Sequence, residues 1–541
     1  MKTQLFSLIA SVGLGLAACA APHAGADDES QAGDDALTGV TSAERGIHFE
    51  GRVYVDAAAN DDVVRTAIAR QVKTALGALR QPKVALNDRA SRANTDPAKW
   101  ARVVVDVVDA KGSKVGRKLQ VTYRYDDRAV VTNTLAKRST VDFVLLADDY
   151  AAHADVLKRD CSDDVTTDTD SLWYHFMPQT TACRARITAE GQAITAAAAK
   201  LSPGTISSAE ANRWFLPITA RLDPVKAGSP AAPEYDRLFG IGTDKSQVVI
   251  YAFFGVDKDE NDPDDVLGVE AARFLRTILR ARPNLRPTHT APFTWLLDFQ
   301  VDGKKLEGIT YDRALTWVVD KSGYPAEVGA DAAKIKLLRQ QVMQKLAERW
   351  IYWDLPLSVK DSKGVQKTVT VELRTFYGYE DGSADARQHA QWRYLEAFWY
   401  GDVFLYNGHS HFGHGPLEPT NYGAGNWNDR YQIMMVNSCL SFNYYQKDFL
   451  DMKPGGSKNL ETIVNGLPSW VWGGGDVLAR FVDGVIGARA TYADLLQAMR
   501  LDTPWGEKGY DPMRVVDGEV DNAYSPTKAP LAVTTLAPVY P

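Results

Sequence analysis

The sequence has no excess of positive charge and, beyond its first residues, no long apolar run. Its 61 Lys and Arg are outnumbered by 68 Asp and Glu, and the formal net charge is -7. This balance gives no electrostatic reason to expect a nucleic acid partner. No later apolar run is long enough to cross a bilayer. At 541 residues, the chain is too long for one ordinary core, and we expect more than one domain.

The first feature that indicates a function is a predicted export signal at the N-terminus. Lys2 precedes an apolar run over residues 5–18, which is typical of a signal peptide. The run ends in Leu16-Ala17-Ala18-Cys19, which resembles a bacterial lipobox. The resemblance implies removal of residues 1–18, lipidation of Cys19, a flexible tether over residues 19–45 and a lipid-anchored place in the bacterial cell envelope, at the outer membrane or the periplasmic face. A plain signal peptide that contains a cysteine is the alternative.

The cysteines are few, four in all. Cys161 and Cys183 flank one polar loop, and disulfides persist in the environment of an exported protein, so we expect a bridge between them. Cys439 then remains as a free thiol. It is either a buried small apolar residue or a nucleophile.

The order of strand and helix patterns predicts an α/β protein. Residues 46–222 read as an N-terminal α+β domain, because apolar and polar residues alternate over 47–55 and a helical face follows over 61–80. Residues 247–255, QVVIYAFFG, are continuously apolar, as in a strand buried in a parallel sheet. Strands and helices then alternate, which predicts a second, parallel-rich α/β domain over residues 245–505, flanked by helices and followed by a C-terminal tail, residues 506–541.

Two predicted strands of the second domain end in chemically active residues. The segment Val403-Phe404-Leu405-Tyr406 leads to His409, and the strand over residues 431–436 leads to Cys439. The active crevice of an open parallel sheet lies beyond the carboxyl ends of its strands. If the two strands are neighbours, His409 can take the proton of the Cys439 thiol, and the thiolate can attack a carbonyl.

These two segments resemble those of caspase-like cysteine peptidases, which include metacaspases and gingipains. Tyr406-Asn407-Gly408-His409-Ser410 is similar to the family's Y-S-G-H-G, and Asn437-Ser438-Cys439-Leu440-Ser441 to its D-S-C-x-S. The resemblance covers about residues 365–480. It implies a peptide or protein substrate, no required cofactor, His409 as general base and Cys439 as nucleophile. It also implies oxyanion and substrate-binding roles around Gly408 and Ser410, and in a strand beyond the thiol that contains Ser469, Trp470 and Trp472.

Three other interpretations stay open. His409, His411 and His414 form H-x-H-x-x-H, which looks like a zinc hydrolase motif, but Gly413 replaces its Asp and no histidine follows His414. Asp257, Asp259 and Asn261 begin like a calcium loop without its later Gly and Glu, so calcium is an optional cofactor only. A surface lipoprotein could also keep the fold and use it for binding without catalysis.

Overall fold

The computed structural model describes residues 37–87, 96–226, 231–288, 297–347, 349–379 and 384–537. The first half of the chain builds a seven-stranded sheet around one long antiparallel pair, in which residues 42–56 pair with residues 118–132. The strands of this half are β1 (Thr38–Gly39), β2 (Ser42–Asp56), β3 (Val84–Leu86), β4 (Ala101–Val108), β5 (Lys114–Thr132), β6 (Thr140–Leu146), β7 (Thr205–Ser207) and β8 (Phe215–Leu222). Its helices are α1 (Asp61–Lys73), α2 (Ala75–Arg80), α3 (Ala154–Cys161), α4 (Leu172–His175), α5 (Thr181–Ala198) and α6 (Ser208–Ala211).

The second half builds a larger, parallel-rich sheet. Its strands are β9 (Gln247–Phe254), β10 (Arg286–Thr288), β11 (Gln300–Val301), β12 (Lys304–Lys305), β13 (Ile351–Lys360), β14 (Gln366–Tyr377), β15 (Val403–Asn407), β16 (Gln432–Asn437), β17 (Leu460–Asn465), β18 (Arg514–Asp517) and β19 (Ala532–Thr535). Its helices are α7 (Tyr235–Leu238), α8 (Val266–Ala281), α9 (Tyr311–Val319), α10 (Ala332–Leu346), α11 (Ala384–Tyr400), α12 (Lys447–Met452), α13 (Gly474–Gly487) and α14 (Tyr492–Ala498).

A block of parallel strands forms the centre of the larger sheet, in the order β17-β16-β15-β9-β14. β18 and β13 flank this block as antiparallel neighbours, and β1, β10 and β19 extend it. The mixed α/β class predicted from the sequence is confirmed. The chain runs from β9 to β14 on one side and then returns to β15 on the other. Neighbouring β9 and β15 therefore form a switch point, where a crevice opens beyond the strand ends.

The central strands are buried on both faces, which explains their continuous apolar sequences. In β15, Phe404 and Tyr406 belong to one hydrophobic core, whereas Val403 and Leu405 belong to another on the opposite face. Helices α8, α9, α10 and α13 contribute to the second core. The first core also contains residues of β2, β5 and β6, so it joins the two halves of the chain.

Polar contacts also join the halves. Arg128 on β5 donates from Nε to Glu44 at 2.9 Å and from Nη1 to Asp517 on β18 at 3.0 Å. β1 pairs with β18, so the start of the described chain lies in the larger sheet. Residues 36–541 pack as one compact unit, and the boundary predicted between residues 222 and 245 stays a prediction.

Two predicted segment boundaries are wrong. Residues 38–45, expected at the end of the tether, form β1 and the start of β2, because β1 pairs with β18 and because Glu44 and Arg45 are buried against partners in the first half. Residues 514–517 and 532–535, expected in a tail, pair with β17 and β13 as β18 and β19. The signal peptide and Cys19 lie outside the described residues. No helix of the described ranges is long and apolar enough to cross a membrane.

We expect Arg128→Gln to destabilise the protein by about 3–5 kcal/mol, because it removes the cation paired with the buried carboxylate of Asp517 and leaves buried Glu44 with Lys226 alone. Chemical denaturation measures this loss. The matched control is Arg124→Gln, which removes an exposed pair with Asp126 and should cost less than about 1 kcal/mol. Equal unfolding midpoints for the two variants would contradict a structural role for the ion pairs of Arg128 with Glu44 and Asp517.

Candidate active site

The two chemically active loops follow neighbouring parallel strands. β15 pairs with β16 so that their last residues, Asn407 and Asn437, are in register. His409 and Cys439 each stand two residues beyond this pair. Both loops therefore emerge at the same edge of the sheet, as expected for an active crevice.

His409 is oriented by a carboxylate across the crevice at the switch point. Its Nε2 lies 3.3 Å from Oδ1 of Asp257, in the loop after β9. The backbone N–H groups of Asp257 and Lys258 donate to Oδ2 of Asp265, a fully buried side chain that also caps helix α8. Among the described residues, Nδ1 of His409 has no hydrogen-bond partner. This nitrogen is the one that remains for proton exchange.

Two buried tyrosines fix the backbone of the histidine loop. The hydroxyl of Tyr406 donates to the carbonyl of His409 at 2.7 Å, and that of Tyr445 donates to the carbonyl of Ser410 at 2.7 Å. Tyr445 belongs to a π-helix, Phe442–Gln446, that begins shortly after Cys439. His411 and Phe412 adopt positive φ angles of 46° and 56°. Strained backbone of this kind persists only where the surroundings hold it, and it clusters at functional sites.

Cys439 is a free, partly exposed thiol. Its Sγ donates to the carbonyl of Ser469 at 3.5 Å. The Tyr174 hydroxyl, from α4 in the first half, lies close to the same thiol. Burial above all, and then the nearby thiol, raise the pKa of Tyr174. Leu440, the next residue, has a φ of 49°. Within the part of the chain that the structure describes, no hydrogen bond joins Cys439 to His409.

The loops beyond β15 and β16 each hold a backbone donor to which no acceptor is assigned among the described residues. These donors are the N–H groups of Ser410 and Cys439. Ser410 is buried, with 6% of its surface exposed. Because a buried N–H without a partner is costly, such donors on the loops that carry His409 and Cys439 are suited to receiving a developing oxyanion.

A row of buried polar side chains crosses the sheet beneath the crevice. Nδ2 of Asn437 donates to Asn407 at 2.7 Å, and its Oδ1 accepts from Asn465 at 3.0 Å. Arg514 on β18 closes the row, donating from Nη2 to Asn437 at 3.0 Å and from Nε to Asn465 at 3.2 Å. The row fixes the ends of β15, β16, β17 and β18 relative to one another.

The metal interpretations gain no geometric support. In the described ranges, no group of three or more His, Cys, Asp or Glu side chains is placed to hold a metal ion. Asp259 accepts from the backbone of Asn261 at 2.8 Å in a local turn, and Asp257 faces His409. His414 is exposed and lies 3.6 Å from Glu418. The calcium and zinc hypotheses therefore stay predictions from the sequence.

The segment beyond the thiol differs from the expected strand. Residues 469–472 form a loop between β17 and α13, because Pro468 precedes them and Gly473 turns the chain with a φ of 81°. The strand beyond Cys439 is β17 instead. Ser469, Trp470 and Trp472 still line a cleft beside the thiol.

Sequence reasoning missed three residues of the site. Asp257 was assigned only to a calcium loop, although it stands at the end of a buried strand, where a catalytic group is equally expected. Tyr174 lies within the segment closed by the Cys161–Cys183 disulfide, whose Cα atoms are 4.8 Å apart, and no sequence pattern connects it to residue 439. Arg514 opens an apolar strand, and a charged residue in that position was a usable signal.

Comparison of the chain with protein-family models, with curated proteins and with solved structures finds no match. The assignment of a function therefore depends on the geometry of the site.

We expect Tyr174→Ala to accelerate alkylation of Cys439 by iodoacetamide at least severalfold, because the substitution removes the phenol that lies close to the thiol. Intact-mass spectrometry over time measures the rate, and circular dichroism checks the fold. Tyr400→Ala, at an exposed tyrosine on α11, is the matched control and should leave the rate unchanged. Equal rates for both variants would show that Tyr174 does not limit access to the thiol.

Proposed function

We propose that the protein is a cysteine endopeptidase of caspase-like architecture, exported and held at the bacterial envelope by a lipid on Cys19. One observation carries the catalytic part of this proposal. A partly exposed free thiol and a carboxylate-oriented histidine follow neighbouring parallel strands in register at Asn407 and Asn437. A nucleophile, a base and a group that orients the base are the parts that covalent hydrolysis of a peptide bond requires.

The reaction begins with the transfer of the Cys439 proton to Nδ1 of His409. The thiolate sulfur attacks the scissile carbonyl carbon, and the carbonyl electron pair moves to oxygen. The N–H groups of Ser410 and Cys439 donate to this oxyanion. The oxyanion collapses, the C–N bond breaks, and the imidazolium gives its proton to the leaving amine. Water, deprotonated by His409, then hydrolyses the thioester and regenerates the thiol.

Asp257 acts on this reaction through His409. An acceptor at Nε2 favours the tautomer that carries its proton there, which keeps Nδ1 available as the base. The carboxylate also stabilises the imidazolium that forms after proton transfer. Asp265 holds the Asp257 loop through two backbone hydrogen bonds, at 2.9 Å and 2.7 Å. Asp257 is therefore a positioning residue in this proposal.

A binding lipoprotein without catalysis is the second candidate, and it has its own supporting observation. The phenol of Tyr174 lies close to the thiol, whereas the imidazole of His409 is hydrogen-bonded to Asp257. In a binding protein this arrangement would be permanent. In a peptidase, the substrate must displace Tyr174 from the thiol, and His409 must then come within hydrogen-bond distance of Cys439.

We expect Cys439→Ala to abolish hydrolysis of a mixed peptide library and His409→Ala to reduce it by about 10²–10⁴-fold, the range for loss of a general base. Mass spectrometry of the peptides measures cleavage. His414→Ala is the control and should retain full activity, because its side chain is exposed and pairs with Glu418. A zinc hydrolase would lose activity in His414→Ala and in strong chelators. No cleavage by the parent protein would favour the binding lipoprotein.

We expect Asp257→Asn to lower kcat by roughly 10- to 100-fold with little change in KM, since a misoriented base costs rate more than binding. Asp259→Asn is the matched control, because Asp259 bonds to Asn261 in its own turn. Steady-state kinetics with and without calcium separate the hypotheses. Equal losses in both variants, with loss of calcium dependence, would indicate a calcium loop instead.

A further inference from the structure

A cavity of about 270 Å³ lies in the first half of the chain. Its lining comes from β2, α1 and β5, from residues 147–149 after β6, and from residues 211–213 at the end of α6. Pockets for drug-sized ligands begin at about 300 Å³, so this cavity suits a molecule about the size of an amino acid. None of the described residues in its lining takes part in the proposed peptide hydrolysis.

The lining carries charges of both signs that do not pair with one another. Its cations are Arg52, Lys118 and Arg213, and its anions are Asp56, Asp148 and Asp149. Within the described part of the chain, no ion pair joins any of these cations to any of these anions; the two arginines pair with Glu210 instead. Lys118 and Asp56 stand opposite one another on β5 and β2 and add no net charge. Opposite charges that line one cavity without pairing suit a ligand that carries both charges.

The two arginines form the cationic side of the cavity. Nη1 of Arg213 and Nη1 of Arg52 lie 3.0 Å and 3.5 Å from the same oxygen of Glu210. The hydroxyl of Tyr54 donates to that oxygen at 2.6 Å, so a single carboxylate holds both guanidinium groups side by side. The described residues offer no acceptor to Nη2 of either arginine. Guanidinium groups placed in this way are suited to binding a carboxylate.

Asp148 forms the anionic side together with its neighbour Asp149. Its side chain is half-buried. Burial above all, and then the charge of Asp149, raise the pKa of Asp148 to about 6. Its own backbone N–H, Lys118 and Arg70 oppose this rise, but among the described residues no cation lies within ion-pair distance of the Asp148 carboxylate. An ammonium group in the cavity would supply that cation.

We propose that this cavity binds a free α-amino acid. The carboxylate of the ligand accepts hydrogen bonds from Arg52 and Arg213, and its ammonium group donates to Asp148, with Asp149 beside it. A molecule that carries only one of these charges leaves the other side of the cavity without a partner, so it binds more weakly. This inference does not depend on the proposed peptidase function.

Equilibrium dialysis of the full chain against each of the standard amino acids, at neutral pH, tests the proposal. We expect at least one of them to bind with a Kd below about 1 mM. The N-acetyl derivative of that amino acid lacks the ammonium group, and its amide lacks the carboxylate, as does the N-terminal residue of a peptide. Each derivative should bind at least about tenfold more weakly than the free amino acid.

Two variants assign the two ends of the ligand. Asp148→Asn and Arg52→Gln should each weaken binding of the amino acid at least about tenfold. In Asp148→Asn the penalty for N-acetylation should shrink while the penalty for amidation remains, and Arg52→Gln should show the reverse. The matched controls are Asp155→Asn on α3 and Arg184→Gln on α5, both at exposed residues, and they should leave the Kd unchanged.

Three results would overturn the inference. Failure of every standard amino acid to bind the unmodified chain at about 1 mM does so whether or not the variants fold. Binding that tolerates N-acetylation or amidation excludes recognition of both charges. Binding that neither Asp148→Asn nor Arg52→Gln weakens places the amino acid outside this cavity.

Discussion

The parallel pairing of β15 with β16, in register at Asn407 and Asn437, is the constraint on which the site depends. Both strands are buried on both faces, so their sequences are apolar until they end, and polar chemistry can begin only in the loops beyond. A slip of one residue would move every side chain of β15 to the opposite core. The register therefore fixes where His409 and Cys439 emerge, and the adjacent β9 brings Asp257 to the same edge.

The row of buried polar side chains at the strand ends stabilises this edge of the sheet, and Arg514 gives the row a positive charge. Buried amides hydrogen-bond to one another across neighbouring strands, which defines one arrangement of the loops above them. Arg514 adds a positive charge that the row does not neutralise. The same residue thus completes the scaffold and carries its charge at the cleft beside the thiol. The first half of the chain contributes to the edge as well, because Tyr174 contacts the thiol.

Periodicity predicted the central elements well. The strands expected over residues 247–255 and 403–406 are β9 and β15, and the helical face expected over residues 61–80 belongs to α1 and α2. These segments have strong local patterns. Three features depend on residues far apart in the chain: the pairing of β1 with β18, the proximity of Tyr174 to Cys439 and the hydrogen bonds of Arg514 to Asn437 and Asn465. Local patterns carry no information about them. The Trp470 segment shows a different error, because a strand was expected there from the family resemblance although Pro468 precedes the segment.

The most direct test of the central claim is the mass of the intact protein after reaction with a mixture of peptidyl chloromethyl ketones. A peptidase whose thiol is activated by His409 should gain one peptide adduct at Cys439, much faster than it reacts with chloroacetamide, and His409→Ala should lose this difference. The same slow rate for both reagents, unaffected by His409→Ala, would contradict the account and describe Cys439 as an ordinary thiol in a binding protein.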